Sequence, residues 1–364
     1  MGRHWLDVLT ASPLVDVVGL VDLDVPMADR ALEDLGLSGL TTGSSVSAVA
    51  AATGAQAVVN VTVPAAHHAV NSEALFAGLP VLCEKPIAPS VAQTLSLIAT
   101  SDVAGQLLMT SQSRRYYRNL ARFRDEVKAL GGVELVTAEF SKAAHFPGFR
   151  EEMAHPLLID MAIHPFDVVR YLLDLDPVAV YCETFNPSWS WFIGDAAATA
   201  IFELEGGVRF VYTGSWVSAG LETSWNSLWR VSGADGTAIW DGEGAPVVEY
   251  GPDGARSAAG SSAIWDGEEI AGALAEFISA LRTGTVPSGD VHSNVLSLAM
   301  VEAAVESADG GGRVLVEDVL DAAYAAAIAN EHRDDVLAEL KAWGSARARL
   351  GAGNVEGRAV PVTS

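Results

Sequence analysis

Short aliphatic runs, separated by segments of helix length, constrain what the first hundred residues can become. Residues 15–21 read Val-Asp-Val-Val-Gly-Leu-Val and end at Asp22, and residues 57–63 read Ala-Val-Val-Asn-Val-Thr-Val and stop at Pro64. A third run, Leu-Pro-Val-Leu-Cys at 79–83, follows a Gly-Leu-Pro turn, and a fourth covers 106–110. Helices are expected between them, over 27–36 with Gly36 closing the first, over 66–77 and from about 90 to 100. The runs are too short for helices, and a run such as 79–83 is apolar throughout, the mark of a strand buried on both faces of a parallel sheet. Such alternation predicts an α/β Rossmann-like domain, a parallel sheet doubly wound by helices.

After Gln112 the pattern changes. A helix over 119–130, a strand over 133–141 and a helix over 157–173 are followed mainly by strands: 178–185, 196–205, 208–216, 227–232, 237–240 and 247–250. Hairpin signals such as Glu205-Gly206-Gly207 join them, which predicts an α+β domain with a mostly antiparallel open sheet. Residues 270–281 and 293–307 carry aliphatic stripes and read as core helices. An Ala-rich helix follows Asp318 to about residue 342, and the polar end beyond it is expected to fray. The expected division is 1–113, 114–320 and a C-terminal helix and tail over 321–364.

Charge and cysteine usage exclude several classes. A net charge of −24 over 364 residues argues against nucleic-acid binding, which needs clustered Lys and Arg. No uninterrupted apolar run approaches the roughly 18 residues of a membrane span, and no basic-then-apolar leader opens the chain. Cys83 and Cys182 offer neither a disulfide framework nor ligand spacing for a metal. A cytoplasmic protein without metal or membrane partner is expected.

Against this background Cys83-Glu84-Lys85-Pro86 stands out. The chain has four lysines, and Lys85 falls where a buried strand ends, just beyond which open α/β sheets bind ligands. Asp160 and His164, four residues apart, are expected on one helix face, with Pro165 suited to a first helical turn. Lysine, aspartate and histidine form a proton-handling set. The plainer alternatives are an exposed Glu84–Lys85 ion pair and a capping aspartate beside a structural histidine.

In order and spacing these motifs resemble the glucose–fructose oxidoreductase/inositol dehydrogenase (Gfo/Idh/MocA) family. The resemblance runs over about residues 1–320. It includes Val63-Pro64-x-x-His67, Glu84-Lys85-Pro86, Phe149-Arg150, Asp160-x-x-x-His164 and the helix around 297–303. One part of the family pattern is missing: the first strand and the first two glycines of the dinucleotide turn. Gly2-Arg3-His4 resembles its last position and the helix after it. Either Met1 is an internal methionine of a longer chain, the reading preferred here, or dinucleotide binding has been lost. A sheet without that central strand would expose the backbone edges of both neighbours, leaving the domain weakened and sticky.

The resemblance implies NAD-dependent hydride transfer to or from a secondary alcohol of a sugar, cyclitol or related polyol. It places the nicotinamide beside Lys85, which would stabilise the substrate oxygen, with a cis bond at Pro86. His164 is the candidate for proton transfer, and Asp160 would bind a substrate hydroxyl or orient the imidazole. Asp22 would hold the adenosine ribose and favour NAD over NADP. Gly2, Arg3, His4, Thr62, Val63, Pro64, His67, Glu84, Gln112 and Arg150 complete the cofactor candidates. Arg115, Tyr116, His145 and His155 are the substrate candidates. Trp189 and Trp191 could stack on a sugar ring, although core packing is the commoner use. The family covers its open sheet by pairing subunits, so a homodimer or homotetramer through the second-domain sheet is expected. The rival readings are a non-catalytic binding or regulatory protein with an incomplete glycine turn, and a lyase or hydrolase that uses NAD transiently.

Overall fold

The computed structural model describes residues 1–252, 262 and 264–351. Its first part runs α1 (Gly2–Ala11), β1 (Gly19–Val21), α2 (Val25–Asp34), β2 (Thr41–Gly43), α3 (Val46–Thr53), β3 (Val58–Asn60), α4 (Pro64–Phe76), β4 (Val81–Glu84), α5 (Val91–Ala104) and β5 (Leu108–Ser111). Then come α6 (Arg118–Lys128), β6 (Val133–Ser141), a π-helical segment (Leu157–Ala162) continuing into α7 (Ile163–Leu173), β7 (Pro177–Phe185), β8 (Ala197–Leu204), β9 (Arg209–Ser215), β10 (Leu228–Gly233), β11 (Gly236–Trp240) and β12 (Val247–Tyr250). The chain continues with α8 (Glu269–Thr283), α9 (Val291–Gly310), β13 (Val314–Leu315), α10 (Val316–Asn330), α11 (Asp334–Ala342) and α12 (Ala346–Gly351). The Ala-rich helix expected to reach residue 342 is therefore interrupted after Asn330. Of the polar end expected beyond it, α12 is helical, and residues 352–364 lie outside the described residues.

Two compact units result, one of residues 1–112, 265–295 and 323–364, the other of 113–264 and 296–322. In the first, local chemistry sets the helix ends. Asp24 accepts from Met27 N at 3.0 Å to start α2, and Ser90 accepts from Gln93 N at 3.2 Å to start α5. Gly54 and Gly105 close α3 and α5 in the left-handed conformation that a side chain resists.

The strands of this unit are parallel as expected, but they do not form one sheet. β1 pairs with β2, and β3-β4-β5 form a separate sheet. In the doubly wound strand order the first strand lies between the second and the fourth, here β1 and β3. Among the described residues no strand fills that place, so β1 and β3 each pair on one side only. The seven-residue strand expected at 15–21 is shortened to Gly19–Val21 for the same reason: one side of it lacks a ladder. β2 and α3 were not anticipated from the sequence. Central strand β4 is buried at every position, consistent with its apolar run.

The second unit carries an eight-stranded sheet in the order β12-β11-β10-β6-β9-β8-β7-β13. It is antiparallel except for β6 against β9, which run parallel. Its inner face is aromatic: Phe166 meets Phe202 edge-on at 4.7 Å, and Phe210 stacks on Trp229 at 6.0 Å. Among the described residues no helix is long and apolar enough to cross a membrane.

Candidate active site

At the carboxyl end of β4 the backbone turns at a cis Lys85–Pro86 bond, and Lys85 is half-buried. Glu84 beside it is not a surface partner. It is buried, its Oε1 accepts from the Trp5 indole N–H at 2.8 Å and its Oε2 accepts from Lys85 N at 3.2 Å. The strand end is therefore gripped from α1, whose Trp5 is itself almost wholly buried.

The turn after β3 is fixed as well. Asn60 Oδ1 accepts from Thr62 N at 3.1 Å and Thr62 Oγ1 at 2.8 Å, while Val63 and Pro64 lead into α4 with Val63 exposed. His67, expected to line the cofactor, is instead fully buried. Its Nδ1 lies 2.7 Å from Pro86 O and its Nε2 lies 2.9 Å from Thr62 O.

Other cofactor candidates of this unit are dispersed along the same strand ends. Asp22 is exposed just past β1, with Oδ1 accepting from Asp24 N at 2.8 Å. Gly2 opens α1 with open space where a Cβ would stand, His4 is exposed, and Arg3 forms an exposed pair with Asp34 at 2.7 Å. Gln112, just after β5, is buried; its Nε2 donates to Asn294 Oδ1 at 3.3 Å. Its Oε1 has no hydrogen-bond partner among the described residues, nor do Thr110 Oγ1 and Ser111 Oγ before it. Cys83 is inert as a nucleophile, because burial pushes its thiol far above the ordinary range.

In the second unit Asp160 lies in the π-helical segment and His164 in the first turn of α7. The two therefore do not share a regular α-helical face; the wide turn re-aims the side chains it carries, a device common at functional sites. Asp160 Oδ2 accepts from Arg150 Nε at 2.9 Å, and the Arg150 guanidinium lies over the Phe149 ring at 4.8 Å. Arg150, proposed from sequence as a cofactor contact, thus binds the candidate carboxylate.

His164 borders a small cleft, about 10 Å³ and so room for about one water, shared with Arg114, Pro165, Trp225, Asn226 and Ser227. Arg115 and Tyr116 are buried. Arg115 is bidentate to Asp167, at 2.7 Å from Nε and 2.6 Å from Nη2. His155 is buried between Asp309, 3.0 Å from Nε2, and Thr184, 3.4 Å from Nδ1. His145 is exposed and stacks on Trp191 at 3.8 Å. Among the described residues no group of three His, Cys, Asp or Glu side chains could hold a metal ion.

Arg114, Trp225, Asn226 and Ser227 were not singled out from the sequence. The last three stand on a loop locked from several directions: Arg114, from the segment after β5, donates to Asn226 Oδ1 at 2.5 Å, Asn226 Nδ2 to Gly242 O at 2.8 Å, and Trp229 Nε1 to Asn226 O at 2.7 Å. Ser227 is buried with φ 69°, a conformation that costs a non-glycine residue about 1–3 kcal/mol and collects at functional sites. Gly242 is required beneath it, since a Cβ there would lie 2.5 Å from Ser227 O. The loop presents Trp225 with 40% of its surface open. The sequence signal was a polar Trp-Asn-Ser step, which resembles any surface loop.

Comparison with known proteins bears on both units. The family model described as the oxidoreductase family, NAD-binding Rossmann fold, matches residues 1–112, and that for the GFO/IDH/MocA C-terminal domain matches 121–239. A relative in Sinorhizobium fredii, "uncharacterized protein y4oX", is 28% identical over 337 residues, 88% of this chain and 94% of its own. Inositol 2-dehydrogenase 4 of Saccharopolyspora erythraea is 30% identical over 167 residues, 45% of this chain and 48% of its own. The fold matches that of an oxidoreductase from Agrobacterium radiobacter solved with NAD+, L-tartaric acid and magnesium. That match has a TM-score of 0.76 at 19% identity and covers 88% of this chain and 96% of the other.

Proposed function

The chain belongs to the GFO/IDH/MocA family of NAD-binding oxidoreductases, and from that premise we propose that it oxidises a secondary alcohol of a cyclitol, sugar or related polyol. The observation that carries this reading is Lys85, half-buried at a strand end where the buried Glu84 accepts from its backbone N–H. The relatives named for inositol oxidation support the substrate class.

The residues present fit NAD. Asp22 offers an exposed carboxylate for ribose hydroxyls and would repel the extra phosphate of NADP. Gly2 leaves the start of α1 open, and Gln112 Oε1 is a buried acceptor that calls for a polar partner. Thr62, Val63 and Pro64 would border the cofactor beyond β3. Bound NAD supplies the hydride acceptor.

Lys85 then hydrogen-bonds the reacting oxygen and stabilises the charge that develops as its proton leaves. His164 exchanges that proton with solvent, and Asp160, oriented by Arg150, binds a neighbouring hydroxyl. Trp225 and Asn226 border His164 and contact substrate, whereas Arg115 is tied to Asp167 and His155 to Asp309.

The second unit also suggests self-association. Tyr181, Ile201, Val211, Thr137, Arg230, Ile239 and Val247 are register partners across seven strands on the open sheet face. Covering that row with a second copy would give a homodimer or, doubled, a homotetramer. Ile201→Glu should shift the protein to monomer in light scattering; an unchanged mass would reject this interface.

Titration with NADH and NADPH tests the cofactor, with NADH expected to bind more tightly. Lys85→Ala should lower turnover of a cyclic polyol by about 10²–10⁴-fold, the usual contribution of a positioned acid–base group. Turnover within a few-fold of the parent would reject the role of Lys85. Failure to bind either nucleotide, repeated with a strand and a glycine-rich turn placed ahead of α1, would favour a non-catalytic binding protein.

A further inference from the structure

We propose that His67 and Asn71, one turn apart on α4, are positioning residues that lock the Lys85 turn to the Thr62 loop. The chain leaving Lys85 presents two successive carbonyls, Pro86 O and Ile87 O. His67 Nδ1 stands 2.7 Å from the first, and Asn71 Nδ2 donates to the second at 3.4 Å. Residues spaced i and i+4 share one helix face, so a single face of α4 reads both carbonyls.

Both connections return to the same place. His67 Nε2 stands 2.9 Å from Thr62 O. Asn71 Oδ1 accepts from Asn60 Nδ2 at 2.7 Å, and Asn60 Oδ1 in turn accepts from Thr62 N and Oγ1. The result is a closed polar bracket from the end of β3, through α4, to the turn after β4.

The bracket is sealed: His67 and Asn71 are 0% exposed and Asn60 is 2% exposed. Helix packing alone does not call for an imidazole and two amides at such positions. Apolar side chains would fill them without the cost of desolvating polar groups. What the polar set adds is geometric definition, since a buried hydrogen-bonded network, in which the imidazole N–H donates to one of its two carbonyls, favours one arrangement of the loops it joins. A lysine amine that must meet a reacting oxygen needs that definition, because a displacement of about 1 Å can cost ~100-fold in rate.

This inference rests on the reading of Lys85 as the proton-handling lysine, and the test separates the two. His67→Leu, His67→Gln and Lys85→Ala would be made in the full chain. The four lysines make the Lys85 ε-carbon resonance assignable in isotope-labelled protein, by its loss in Lys85→Ala. In His67→Leu that resonance should shift and broaden without substrate. Its kcat for a cyclic polyol should fall at least ~tenfold while NADH affinity stays within about threefold, and the pH profile of kcat/KM should move. His67→Gln, which restores one donor, should recover part of each effect.

An unchanged Lys85 resonance and pH profile in His67→Leu would overturn the bracket, whatever Lys85→Ala does. Persistent turnover in Lys85→Ala would overturn the catalytic reading, while the resonance still decides the bracket. Should His67→Leu fail to fold, Asn71→Ser, smaller and still polar, is read by the same resonance with the same two outcomes.

Discussion

The indole N–H of Trp5 donates to Oε1 of Glu84 across 2.8 Å and 79 positions of sequence, joining the first helix to the end of β4. The other oxygen of the same carboxylate accepts from Lys85 N, so α1 reaches the candidate catalytic turn through one side chain. Trp5→Phe keeps the apolar body and leaves a buried carboxylate short of a donor. The expected loss is about 1.5–3 kcal/mol of stability, with a fall in turnover. A urea midpoint equal to the parent would show that the bond contributes nothing.

The split sheet makes a second prediction. Edge strands β1 and β3 each pair on one side only among the described residues, and a parallel strand between them would join both sheets. Fusing a strand of about seven β-branched residues and a glycine-rich turn ahead of α1 should raise Tm and NADH affinity together. An added segment that changes neither would mean that the two edges do not frame a strand site.

Two aspartates of the second unit, Asp167 and Asp160, should respond in opposite ways. Asp167, buried and bidentate with Arg115, is structural, and Asp167→Asn should cost about 3–5 kcal/mol. Asp160 pairs with a partly exposed Arg150, so Asp160→Asn should change stability by less than about 1 kcal/mol while strongly lowering turnover. Thermal melts and initial rates on the same samples decide it; a stable, active Asp160→Asn would remove this residue from the site.

Histidine 68 gives the first unit a pH dependence. Burial holds His68 below its ordinary value of 6.5, with Glu331 opposing, and its Nε2 meets Ser96 Oγ at 3.1 Å. The unfolded chain therefore takes up this proton first. Stability from His68 is fully present above pH 6.5 and falls as pH drops through that value toward the lower folded one. His68→Gln should flatten this stretch of the stability profile; identical profiles would assign the acid limb to other groups.

Trp225 should act on substrate and not on nucleotide. Its loop is locked by Arg114 and by the strained Ser227, so the indole is pre-positioned. Trp225→Leu should raise KM for a cyclic polyol about tenfold with little change for NAD, as loss of a central aromatic anchor does. Equal KM in parent and variant would place Trp225 outside the substrate contact.

Residue pattern alone carried the architecture. The run at 79–83 declared a buried parallel strand because such strands need continuous apolar sequence, and β12 was placed at its true limits by its flanking turns. The family motifs identified Lys85, Asp160 and His164 as candidates by order and spacing. Tertiary structure decided what the remaining polar residues do. His67 and Glu84 read as site residues, yet they are tied to Pro86 and Trp5 by approaches between separate segments. The π turn before His164 and the strain at Ser227 depend on packing against other elements, and local propensity does not encode them. Periodicity reports which side of an element faces the core. Which distant group meets a buried polar atom there is fixed only when the chain closes on itself.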